Sequence, residues 1–136
     1  MKGYAYVVAD LIHVGHLKFL EKCKQRCDIL TVGVLTDEAC MEKKPKPTIP
    51  FDERLEMVKA LRCVDAVVVQ RTYLPFQNAE HYMTDVLFES DSHDSKALKE
   101  AKKKFKVIVL PYYEGQSSTK IKEKICRVAK RQHLKV

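Results

Sequence analysis

Apolar residues follow two rhythms along this chain. Short runs rich in β-branched residues alternate with longer stretches where apolar positions recur every three or four residues. The short runs are Tyr4 to Val8, Ile29 to Leu35, Val64 to Val69, Asp85 to Phe88 and Val107 to Leu110. Their length and content are those of buried strands. Between them, Leu17, Leu20, Cys23 and Cys27 repeat at helical spacing, as do Phe51, Leu55, Val58 and Leu61. A short helix is predicted over Asn78 to Met83 and another from Ser95 to Lys104. A last one carries Ile121, Ile125, Val128 and Ala129 on one face. Strand alternating with helix predicts an α/β, Rossmann-like three-layer αβα domain, with a parallel five-stranded sheet and right-handed crossovers. Residues 1–136 are read as one such domain, a length that supports a real core.

In parallel sheets, ligands bind beyond the carboxyl ends of the strands. Asp10-Leu11-Ile12-His13-Val14-Gly15-His16 occupies the first such end and leads into a helix. A helix N-terminus offers unpaired N–H groups and partial positive charge, and so attracts phosphate. Two imidazoles there can meet charge that develops on a transferring phosphoryl group. The plainer reading is that His13 ends a strand and His16 caps a helix. Thr36-Asp37-Glu38 lies at the second strand end. Glu42 to Pro50 follows as a loop with three prolines and three lysines. It reads either as a solvated linker or as a flap closing over a triphosphate. Gly115-Gln116-Ser117-Ser118-Thr119 precedes the last helix, with Ser117 as a natural N-cap and further hydroxyls beside it.

Charge and cysteine content narrow the partners. The net charge of +7 favours anionic ligands. Much of it lies in Lys99 to Lys106 and Lys120 to Lys135, runs that read as solvated helix faces. No arginine-aromatic interleaving of the RNA-binding kind accompanies them, so nucleic acid is not the expected partner. The five cysteines are odd in number and lack a second close pair beside Cys23 and Cys27. This speaks for buried thiols over a disulfide framework or a zinc site. Asp91, His93 and Asp94 are a candidate metal cluster, against the simpler reading of a loop and helix cap. No apolar run approaches the roughly 20 residues that span a bilayer. No signal peptide is evident at the start, so the cytoplasm is the expected location.

His-x-Gly-His after a first strand resembles the signature of the nucleotidyltransferase superfamily that contains the cytidylyltransferases. Other stretches extend the likeness over essentially the whole chain. They are Thr36-Asp37-Glu38, Glu53-Arg54, Arg62-Cys63-Val64-Asp65 and Gly115-Gln116-Ser117-Ser118-Thr119-Lys120-Ile121. Together they resemble the glycerol-3-phosphate branch of the cytidylyltransferase family, which also holds choline- and ethanolamine-phosphate enzymes.

The resemblance implies transfer of CMP from CTP to a small phosphate monoester, with loss of pyrophosphate. It implies Mg²⁺ carried with the nucleotide, no protein metal site, and a homodimer. His13, His16, Lys43 and Lys46 would be catalytic. Val8, Ala9, Asp10, Asp91, Ser117, Ser118 and Thr119 would hold the nucleotide. Asp37 and Arg62 would bind the acceptor. Three places depart from the family pattern. Val7-Val8-Ala9 stands for Gly-Thr-Phe, Ser90-Asp91-Ser92-His93 for Gly-Asp-Asp-Trp, and Tyr112 for an arginine. These departures keep two alternatives open: an adenylyltransferase on the same scaffold, and a diverged, non-catalytic nucleotide-binding domain.

Overall fold

The computed structural model describes residues 1–91, 95–111 and 113–133. Five strands form one sheet: β1 (Lys2–Val7), β2 (Ile29–Leu35), β3 (Ala66–Gln70), β4 (Val86–Ser90) and β5 (Val107–Leu110). Their order is β3-β2-β1-β4-β5, and every pairing is parallel. The chain therefore winds outward from β1 in one direction, then returns and winds in the other. The crevice between β1 and β4 is the switch point where such sheets bind ligands.

Helices cover both faces. α1 (Val14–Lys24) and α3 (Phe51–Lys59) bury Leu20, Cys23 and Val58 against Ala5, Val32, Val34 and Phe88. On the other face, α4 (Phe76–His81) and α5 (Ser95–Lys104) set Ala79 and Ala101 against Tyr4 and Leu87. Alternate residues of β1 thus serve opposite cores, as the two-residue period of a strand requires. The short α2 (Asp37–Met41) follows β2, capped by the Thr36 hydroxyl on the Ala39 N–H at 3.1 Å. α6 (Ser118–Arg131) ends the described fold.

Several boundaries differ from those read in the sequence. α1 begins at Val14, three residues before the first apolar position of its repeat, because the turn at His13 already caps it. α2 was not foreseen, since five residues are too few to show a period. α4 lies over Phe76–His81, ahead of the predicted Asn78 to Met83, because Pro75 supplies its N-cap. Ile125, assigned to the buried face of α6, is 47% exposed, and Ala129 is the buried residue there.

Two polar devices brace the sheet beneath the crevice. Tyr4 donates to Gln70 Oε1 at 2.6 Å and accepts from Asn78 Nδ2 at 3.0 Å, while Gln70 Nε2 reaches the Thr72 and Tyr73 carbonyls. This chain of bonds fixes the loop after β3, and with it Tyr73. Gly33 makes it possible, because a Cβ there would lie 2.0 Å from the Tyr4 hydroxyl.

The second device is Arg54. It is fully buried on the helix that carries the Phe51, Leu55 and Val58 repeat. Its guanidinium donates to the carbonyls of Val8 (2.7 Å), Leu35 (2.8 Å) and Ile49 (3.0 Å), and to Asp37 Oδ1 (2.6 Å). Arg54 thereby ties the carboxyl ends of β1 and β2 to α2 and to the loop before α3.

Candidate active site

Strand β1 ends in a strained turn. Ala9 and Leu11 have φ of 58° and 50°, the left-handed region that side chains disfavour. Such strain persists only where the surroundings hold it. Asp10, between them, is the anchor. Its carboxylate accepts from the Thr48 and Ile49 N–H groups, each at 2.9 Å, and pairs with Lys122 at 2.9 Å. Burial opposes charge on Asp10, but these two N–H groups and Lys122 outweigh it and hold the carboxyl below its usual range. Its carbonyl also accepts from the Ser118 hydroxyl. One residue thus joins the first strand end, the lysine loop and α6.

The turn delivers His13 to the N-cap of α1. Its Nδ1 accepts from the Gly15 N–H at 2.9 Å, and His16 Nδ1 accepts from the His13 N–H at 3.1 Å. The pair forms a reciprocal capping box, here with imidazoles in place of hydroxyl and carboxylate. Capping and chemistry are therefore not rival readings: capping is what orients the rings. With each Nδ1 acting as acceptor, each neutral ring carries its proton on Nε2.

The ring centroids lie 4.0 Å apart. Burial lowers the affinity of His13 for a proton. Burial, and then the neighbouring His13, push His16 down to about 4. Both rings are neutral near pH 7 and act as N–H donors. Gly15 serves the histidine more directly than a ligand, because a Cβ there would meet His13 Cε1 at 2.6 Å.

Both rings line a cavity of about 600 Å³ at the carboxyl ends of the strands. The start of α6 lines it too. Ser117 caps that helix by accepting from the Lys120 N–H at 3.1 Å, and Ser118 is committed to Asp10. Thr119 is exposed and faces the cavity. The N-termini of two helices, of 11 and 14 residues, thus converge on one space. Asp10 and Val8 line it as well, whereas Ala9 is buried at 2% exposure and packs into the core.

The lysine loop forms the rim. Lys44, Pro45 and Pro47 line the cavity, and the ammonium groups of Lys43 and Lys44 stand 5.0 and 5.9 Å from the centre of the Tyr73 ring. Lys46 is exposed and is not part of the lining. Asp37 is engaged with Arg54. Arg62 precedes β3 and so sits by the amino ends of the strands, across the sheet from the cavity. Asp91 follows β4, exposed and outside the lining. Ser92, His93, Asp94 and Tyr112 lie outside the described residues. Among the described residues, no three His, Cys, Asp or Glu side chains gather as a metal site would require. Nor is any helix long and apolar enough to cross a membrane.

Sequence reasoning missed several residues that line this site, among them Lys44, Lys122, Tyr6 and Glu89. Lys44 is one of three lysines in its loop, and nothing local ranks them. Lys122 lies on a helix face crowded with lysines. Tyr6 and Glu89 are distant in sequence and meet only through strand pairing. Glu89 directly follows the apolar run Asp85 to Phe88 and opens a polar stretch, so nothing local marked it as a buried strand residue.

Comparisons with known proteins bear on the same residues. A family model described as cytidylyltransferase-like matches residues 6–124. The glycerol-3-phosphate cytidylyltransferase of Bacillus subtilis is 34% identical over 125 residues, covering 91% of this chain and 96% of that one. The bifunctional protein HldE of Geotalea uraniireducens is 33% identical over 122 residues, 85% of this chain but only 25% of that protein. Among solved structures, a lipopolysaccharide core biosynthesis protein from Thermoplasma volcanium superposes with a TM-score of 0.71 at 21% identity. That match covers 85% of this chain and 98% of the other.

Proposed function

Since this chain belongs to the cytidylyltransferase-like family of nucleotidyltransferases, we propose that its cavity joins CTP to a small phosphate monoester such as glycerol 3-phosphate. An oxygen of the acceptor phosphate attacks the α-phosphorus in line. The bond from that phosphorus to the bridging oxygen breaks, and pyrophosphate leaves. Both reactants are anions, so alignment and charge neutralisation are the main tasks. The attacking group is already an oxyanion, so no side-chain nucleophile or general base is needed.

The observation that carries this reading is the pair of neutral imidazoles between two helix N-termini. Each has Nδ1 occupied and its proton on Nε2, so each is a preset donor to a phosphate oxygen. They gain most as charge builds in the transition state. Thr119 and the first N–H groups of α6 supply a second cradle. Lys44 adds charge from the loop, and Lys43 joins it when the loop closes. Lys122 is held at the cavity by Asp10 and also faces the phosphates. Lys46, Asp91 and Arg62 do not line the cavity. A role for Lys46 requires movement of its loop, and one for Arg62 a second copy of the chain.

Mg²⁺ fits this site as a companion of the nucleotide. The Asp10 carboxylate is already taken by two N–H groups and an ammonium, so the phosphates and water would supply the ligands. When bound there, the ion neutralises phosphate charge.

The experiment is pyrophosphate release scanned over four nucleoside triphosphates and a panel of phosphate monoesters. Turnover greatest with CTP and a polyol phosphate supports the proposal. A preference for ATP replaces the cytidylyl assignment and keeps the transfer chemistry. No release with any pair would leave the chain a nucleotide-binding domain. Sedimentation of the same sample tests the proposed homodimer.

A further inference from the structure

The loop before α6 brings one more side chain to the place where the two helix N-termini meet. Gln116 lines the cavity, with Ser117, Ser118 and Thr119 on one side and His13 and Gly15 on the other. Its backbone carbonyl lies close to the first turn of α1, since a Cβ on Gly15 would stand 3.3 Å from it. The same Gly15 donates its N–H to His13 Nδ1 at 2.9 Å. Gln116 therefore sits between the imidazole pair and the start of α6.

The Gln116 carboxamide is held in one orientation. Its Oε1 accepts from the Ser117 N–H at 3.1 Å. A backbone N–H can only donate, so the atom facing it is the oxygen, and the other arm of the planar group is the nitrogen. Nε2 is thus turned away from the Ser117 N–H. Among the described residues it donates to none, and no buried side-chain nitrogen or oxygen there lacks a partner, so Nε2 is open to solvent. On a residue that lines the cavity, this leaves two N–H donors for a ligand.

Accepting at the oxygen also strengthens those donors. Ser117 is the N-cap of α6, a helix of 14 residues, so its N–H stands at the positive end of the helix. A hydrogen bond to an amide oxygen polarises the amide and makes its N–H groups better donors. Gln116 carries the donor character of the helix end outward by the length of a side chain. It also supplies what its neighbour does not. Ser118 has given its hydroxyl proton to the Asp10 carbonyl and has no side-chain donor left for an anion.

We infer that Gln116 is a phosphate-binding residue of the nucleotide site, its Nε2 donating to the phosphate chain between the imidazole pair and the start of α6. This inference rests on the cavity being the site of the nucleotide phosphates. A hydrogen bond to a charged group is worth about 10- to 100-fold in affinity.

The test is calorimetry on the full chain with inorganic pyrophosphate, a probe that has the phosphate chain but no base, ribose or acceptor. Two substitutions separate the two arms of the carboxamide. Gln116→Glu keeps an oxygen for the Ser117 N–H and removes the donor. Gln116→Leu removes both arms without adding charge, and Gln116→Met takes its place if the leucine variant does not fold. Pyrophosphate affinity should fall at least about 10-fold in the charged and the neutral variant alike. The urea midpoint of Gln116→Glu should equal or exceed the native one, because a carboxylate favours a helix N-terminus. A loss confined to the neutral variant would show that only the Ser117 bond matters. A loss confined to Gln116→Glu would show that only the added charge matters. Either result overturns the role of Gln116, as does native affinity in both variants, and all three leave the proposed transfer reaction standing. A native chain that binds no pyrophosphate overturns the phosphate site and the role of Gln116 together.

Discussion

Neutral imidazoles stabilise phosphate by donating hydrogen bonds, and that makes their orientation decisive. Alanine at His13 or His16 removes one preset donor. Turnover should fall by about 10²–10³-fold in either variant, with smaller change in nucleotide affinity. Near-native turnover in steady-state assays would remove that ring from the mechanism. Gly15→Ala tests orientation apart from ring identity. The added methyl would lie 2.6 Å from His13 Cε1, so the ring must rotate and lose the Gly15 N–H bond. Turnover should drop on the order of 10²-fold although both histidines remain. A crystal structure of the variant with the ring unmoved would refute this account.

At the scale of elements, the site depends on two tethers. Asp10 holds the C-terminal part of the lysine loop through the Thr48 and Ile49 N–H groups. Asp10→Asn replaces one acceptor oxygen by a donor and deprives Lys122 of its carboxylate partner. The loop should then be cut faster by trypsin after Lys43, the one lysine of the loop not followed by proline, and CTP with Mg²⁺ should protect it less than in the native chain. Equal cleavage rates in the two proteins would show that the loop is held by other means.

Arg54 is the second tether, joining β1, β2, α2 and the loop from a fully buried position. Arg54→Ala strands three carbonyls and the partner carboxylate of Asp37. Breaking such a buried pair costs about 3–5 kcal/mol, measurable as a lowered urea midpoint. Arg54→Lys should recover only part of this, since one ammonium cannot copy a planar fork.

For the whole molecule, two buried titrating groups act in opposite senses. His16 binds its proton near pH 4 in the fold, against about 6.5 when unfolded. The unfolded chain takes up more protons between those values, so this group's contribution is full above about pH 6.5 and is lost as pH falls towards 4. Glu89 holds its proton up to about 7 in the fold, above the usual 4.5. Its contribution is full below about 4.5 and is lost as pH rises through 7. The two offset each other across the shared window. Glu89→Gln removes one side of that balance. Between pH 5 and 7 the variant should gain stability with rising pH more steeply than the native chain, as read from urea midpoints. Parallel pH profiles would show that Glu89 does not titrate in this range.

Some of this was decided by the residues in order. The β-branched runs, the helical repeats between them and the parallel topology follow from local periodicity and from the short distance each crossover must span. The His-x-Gly-His turn and the Ser117 cap were legible for the same reason, since capping is made by neighbours two or three residues apart. What tertiary structure decided involves partners far apart in sequence. The strand register sets Tyr6 against Glu89 across 83 residues. Arg54 turns inward to bond the carbonyls of Val8 and Leu35, which the sheet brings side by side. Lys44 faces the cavity while Lys46 does not, a choice made by the Asp10 anchor and the Tyr73 ring. Pattern determines where an element lies along the chain. Which polar side chain is buried, and against what, depends on the groups that packing leaves in need of a partner.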